Sequence, residues 1–108
     1  MASLWQVWRG TRVVAKIPMS QDEDIEDEAK VLERVSNHPN VLSLIGMVNH
    51  PFKAVVLPYC EHGSMEEMLV APGRHNVRAT MPWRELVRMF SEAAAGILHL
   101  HKEGVIHR

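Results

Sequence analysis

Cysteine is nearly absent from this 108-residue sequence, in which Cys60 stands alone. One cysteine excludes an internal disulfide and any Cys-x-x-Cys metal or redox motif, and a reducing, intracellular setting is the matching expectation. Net charge is missing too. Twelve basic and thirteen acidic side chains leave a formal charge of −1, so no overall electrostatic footprint points to nucleic acid or an anionic membrane. No apolar run reaches the roughly 18 residues of a membrane helix. The opening MASLWQVWRG also lacks the basic start and long apolar middle of a signal peptide. Aromatic residues make up only 6%, and nothing pairs them with basic residues as a single-strand nucleic-acid platform requires. There is no internal repeat and no low-complexity tract. What remains is 46% hydrophobic content, enough for one small domain with a core.

The order of patterns along the chain predicts an α+β arrangement. LWQVWRGTRVVAKI reads as two short strands around a turn at Arg9, Gly10 and Thr11. On the second strand Val14 and Lys16 share one face, with Val13, Ala15 and Ile17 on the other. After Pro18, a Ser20–Glu23 capping box and acidic residues Asp22 and Asp24 predict a helix from about Gln21 to Val35. Ile25, Ala29, Leu32 and Val35 form its apolar stripe. VLSLIGMV and KAVVLPY then read as an antiparallel hairpin around NHPF. A second capping box, Ser64 to Glu67, opens a short helix that turns Met65, Met68 and Leu69 inward. APGRHNVRATMP reads as a polar loop. From Pro82, at the first helical position, apolar residues recur at three and four until Gly104 stops the helix. Its AAAG face permits close approach of another backbone.

Several residues fit these patterns badly enough to suggest chemistry. Glu28 lies on the apolar stripe, three after Ile25 and four before Leu32. A carboxylate there either meets a cation, with Lys16 the nearest by topology, or sits at the stripe's edge and reaches water. DEDIEDE carries six acids, which read as a metal or basic-partner site or, better, as a solvated helix start. His99 and His101 project to different faces of one helix, and His38, His50, His62 and His75 fall in turns. No metal site is expected. Cys60 and the seven methionines read as packing residues.

In this order the patterns resemble the N-terminal part of a protein kinase catalytic domain, of the tyrosine kinase or tyrosine-kinase-like group, from about Trp8 to Arg108. VVAK resembles the Val-Ala-x-Lys strand, NHPNVLSLIGMV the segment after the αC helix, VVLPYCEHGSMEEML the fifth strand and hinge, and GVIHR the start of the His-Arg-Asp loop. The resemblance implies a partial small lobe over about residues 4–58, a hinge at 59–63, and the start of the helical lobe over 64–108. It makes Lys16 the lysine that holds the α- and β-phosphates of ATP and Glu28 its αC partner. Leu57 becomes the gatekeeper, the backbone of Pro58 and Cys60 meets the adenine edge, and Ser64 lies near the ribose. Val14, beside the adenine, stands where the family usually has alanine, and Pro58 replaces the usual hinge glutamate.

His107 and Arg108 match the first two residues of the catalytic loop, with Arg108 the arginine that in the family pairs with a phosphorylated activation loop. The chain stops one residue before the catalytic aspartate, and the magnesium-binding Asp-Phe-Gly and the Gly-x-Gly-x-x-Gly loop have no counterpart in it. Two readings follow. One is a piece of an ATP- and Mg-dependent kinase acting on protein hydroxyls, itself inactive; the other is a pseudokinase-like or truncated binding module. In both, the apolar stripe of the last helix, including Leu86, Phe90 and Ile97, is left partly exposed, so the isolated chain is expected to aggregate or to depend on a protein partner.

Overall fold

The computed structural model describes residues 2–20 and 24–107. Strands β1 (Ala2–Trp8) and β2 (Thr11–Ile17) form the expected antiparallel hairpin, with Ala2 opposite Ile17 and Trp8 opposite Thr11. Its two turn residues, Arg9 at φ 50° and Gly10 at φ 79°, adopt left-handed backbone. A two-residue hairpin needs that conformation, and glycine adopts it without steric cost.

Helix α1 (Ile25–Val35) is shorter than the span expected from Gln21. Gln21 to Glu23, and with them the Ser20–Glu23 box, lie outside the described residues. The described cap is Asp24, whose side chain accepts the Asp27 N–H at 3.0 Å. That backbone bond is the main cause holding the Asp24 carboxyl below its ordinary range.

Strand β3 (Gly46–Val48) is only the tail of the strand expected over 41–48. Side-chain bonding replaces the ladder before it: the Ser36 hydroxyl donates to the Leu32 carbonyl and accepts the Leu44 N–H. Strand β4 (Ala54–Pro58) completes an antiparallel sheet of order β1-β2-β4-β3. Lys16 and Met47 both lie opposite Val55, and Val14 lies opposite Leu57. Strand alternation therefore puts these five residues on one face. Helix α1 covers that face: Ile25, Ala29, Val55 and Leu57 form a buried cluster, with Leu32, Leu44 and Met47 packed against it.

Helix α2 (Met65–Leu69) begins with the expected capping box, Ser64 and Glu67 exchanging two bonds of 3.1 Å. Its Met65, Met68 and Leu69 are half-buried rather than core. Helix α3 (Trp83–Lys102) starts one residue later than expected, with the Pro82 carbonyl accepting the N–H groups of Glu85 and Leu86. It stops at Gly104, φ 75°, where the Val105 N–H returns to the Leu100 carbonyl at 2.8 Å. The small face expected at AAAG is used at Gly96, where a Cβ would collide with the Asn40 carbonyl oxygen. Along the stripe Phe90 and Ile97 are exposed, as are Trp83, Val87 and Leu98, whereas Leu86 is half-buried. Among the described residues no helix is long and apolar enough to cross a membrane.

The chain divides into two compact units, Met1–Tyr59 with Ala95–Arg108, and Cys60–Ala94. One expectation about the rings is corrected. Arg9, Arg12 and Arg84 lie 4.8, 5.2 and 5.9 Å from the ring centroids of Trp8, Tyr59 and Trp83, so these few aromatics do have basic partners.

Candidate functional site

Alternation along β2 and helical spacing along α1 bring Lys16 and Glu28 together in the first unit. Lys16 rises from the sheet face that α1 covers, and Glu28 stands at the rim of the stripe that covers it. Their charged atoms are 3.8 Å apart, and each side chain is 39% exposed. Both sequence readings of Glu28 therefore hold, since it reaches the edge of the core and meets a cation there. At this distance and exposure the pair contributes less than about 1 kcal/mol to stability. Its effect is positional: it holds the Lys16 ammonium at the rim of the sheet face beneath α1.

Val14 sits half-buried on the same face, two residues from Lys16, and Leu57 opposite it is buried at 5% exposure. Pro58 ends β4 opposite Val13; having no N–H, it offers a ligand only its carbonyl. Cys60 and Ser64 belong to the other unit. The Cys60 thiol is exposed and free, and its carbonyl accepts the Gly63 N–H at 3.2 Å. The Ser64 oxygen already accepts the Glu67 N–H. His107 is exposed in the first unit, and Arg108 lies outside the described residues.

Two features escaped sequence reasoning. Lys53 donates to Glu26 at 2.6 Å, tying the first turn of α1 to the segment before β4. The Glu26 carboxylate, chiefly through this bond, raises the Lys53 ammonium above its ordinary range. The pairing spans 27 residues and no periodicity announces it. The second is a ring stack between His38 and His99. A groove of about 420 Å³ on the sheet face away from α1, lined by Trp8, Val13, Ile17, Phe52 and Val56 among others, contains none of the candidate residues. It also lacks the convergent polar groups of a specific small-molecule site. Among the described residues no group of three or more His, Cys, Asp or Glu side chains is placed to hold a metal ion.

A lysine on a strand paired with a glutamate on the helix packed across it is the small-lobe arrangement that the sequence resemblance implies. Comparison with known proteins agrees. The family described as protein tyrosine and serine/threonine kinase matches residues 11–108. A probable serine/threonine-protein kinase of Dictyostelium discoideum is 30% identical over 95 residues, covering 87% of this chain and 14% of the relative. Myosin-IIIa of Homo sapiens is 32% identical over 93 residues, covering 81% and 6%. A tyrosine-protein kinase of Spongilla lacustris is 30% identical over 108 residues, covering 94% and 30%. The chain thus belongs to the protein tyrosine and serine/threonine kinase family, and it spans less than a third of the length of these relatives.

Proposed function

We propose that these residues form the phosphate-holding part of an ATP-dependent kinase that phosphorylates protein hydroxyls. Lys16 contacts the α- and β-phosphates, and Glu28 keeps its ammonium in place. The observation that carries this reading is the 3.8 Å approach of Lys16 to Glu28 on the sheet face beneath α1. Val14 and Leu57 then border the adenine, with the Pro58 carbonyl at its polar edge. Bound magnesium would neutralise charge on the phosphates. Aspartate and asparagine oxygens of the kind that hold it in the family are not matched by residues of this chain, so we assign no step through it. His107 and Arg108 serve as the beginning of the catalytic loop, and Arg108 as a partner for a phosphorylated activation loop.

Phosphoryl transfer depends on positioning and electrostatic stabilisation. Lys16 and Glu28 supply part of the first, and the 108 residues contain no counterpart of the catalytic aspartate, so the chain alone is inactive on this reading. The exposed Cys60 thiol suits a reducing, intracellular compartment. A second reading, a binding module without catalysis, is favoured by one observation: Trp83, Val87, Phe90, Ile97 and Leu98 are exposed along α3, a surface suited to a protein partner.

Reading the coding sequence beyond codon 108 and assaying its product separates the two. We expect an aspartate next, then an asparagine and Asp-Phe-Gly, with transfer of the ATP γ-phosphoryl to protein that Lys16→Met abolishes. A stop at that codon, or transfer unaffected by Lys16→Met, would overturn the first reading.

A further inference from the structure

His38 and His99 come from separate segments of the chain and meet as stacked rings, with centroids 4.8 Å apart and planes inclined by 26°. His38 lies in the loop between α1 and β3, and His99 in the second half of α3. Both are half-buried and belong to the same compact unit. Their other bonds decide which protons each ring tolerates. His38 Nδ1 accepts the backbone N–H of Asn40 at 3.0 Å, and only a ring nitrogen without a proton can do so. His99 Nε2 stands 3.1 Å from Asn37 Oδ1, an acceptor. That nitrogen is therefore the donor, and its bond survives when the ring is charged.

The surroundings reinforce the asymmetry. Gly96 packs against the Asn40 carbonyl so closely that no side chain fits between them. Arg34, in the last turn of α1, donates to the Glu103 carbonyl at 3.1 Å. Loop, α1 and α3 thus converge on one junction. The titratable and charged residues that these elements carry near the junction are Glu33 and Arg34 at the end of α1 and His101, Lys102 and Glu103 after His99, while residues 36–42 include no carboxylate. Neither ring's described hydrogen bond is to a carboxylate.

We infer that the His38–His99 stack is a proton-sensitive latch: neutral His38 fastens the loop over residues 36–42 to α3, and protonation of His38 releases it. The added proton turns Nδ1 into a donor facing the Asn40 donor, and it sets a cation against the His99 ring at stacking distance.

Amide exchange in the full 108-residue chain, followed by NMR and corrected for intrinsic pH dependence, reads the latch at the Asn40 N–H. Between about pH 7.5 and about pH 5.5 that amide is expected to lose roughly tenfold in protection while the amides of β4 keep theirs. His38→Asn, whose side-chain oxygen accepts without titrating, removes the pH dependence at Asn40. His99→Phe, a ring that stacks without charge, reduces it. Equal protection at both pH values in the wild type would overturn the inference. So would a loss that persists in His38→Asn, or a simultaneous loss in β4, which reports global unfolding.

Discussion

Every residue described as buried, among them Val13, Ile25, Val35, Val55, Leu57 and Leu100, lies in the unit formed by residues 1–59 and 95–108; residues 60–94 contain none. The two regions are therefore held by different physics. The first excludes water between a sheet face and α1, a non-directional effect that grows with apolar area. The second is organised by directional local bonds: the Ser64–Glu67 box, the Asn76 amide on the Ala71 carbonyl, and Arg88 between Glu85 and Glu92. Such local bonds, most of them exposed, fix local geometry but add little to global stability. The candidate phosphate-holding pair belongs to the region with a core, where a rigid sheet and helix can keep two charges in register.

The strongest way to break this contrast is Leu57→Ala. It should cost about 2–5 kcal/mol, visible as a lowered thermal midpoint by circular dichroism. Next is Gly96→Ala, whose Cβ meets backbone at Asn40 rather than a flexible side chain. About 1–3 kcal/mol is expected, with exchange increased at residues 36–42. In the other region Ser64→Ala should weaken α2 by about 1 kcal/mol, read by exchange at the Glu67 amide, and leave the global midpoint unchanged.

Acid sharpens the same point. The Ser64 backbone bond is the main cause lowering the Glu67 carboxyl from its ordinary range. The ionised form is therefore favoured in the folded chain. Its contribution is complete above the unfolded value of about 4.3 and is lost as pH falls below it through the folded value. The Ser64 amide shift should report this loss before the sheet changes. Smallest of all, Glu85→Gln should leave the midpoint unaltered, since Arg88 keeps Glu92.

Local chemistry made much of this legible in the sequence. The hairpin at Gly10, the box at Ser64, the stop at Gly104 and the stripe of α1 all depend on residues within a few positions of one another. Lys16 and Glu28 were readable because period two and period 3.6 each place one charge on a shared face. The failures arose where distant residues decide. Residues 41–45 have strand-like composition, yet the Ser36 hydroxyl binds the Leu44 N–H from eight residues away. The Lys53–Glu26 pair and the His38–His99 stack have no periodic signature because the fold alone brings them together. Asp24, expected only to complement the helix dipole, also caps α1 through the Asp27 N–H.

The most direct test of the central claim is the affinity of the chain for ATP relative to adenosine, measured by calorimetry for wild type and Lys16→Met. If Lys16 holds the phosphates, wild type prefers ATP, and Lys16→Met binds ATP and adenosine equally with its adenosine affinity unchanged. Equal affinities in the wild type, or an ATP preference that survives Lys16→Met, would contradict it.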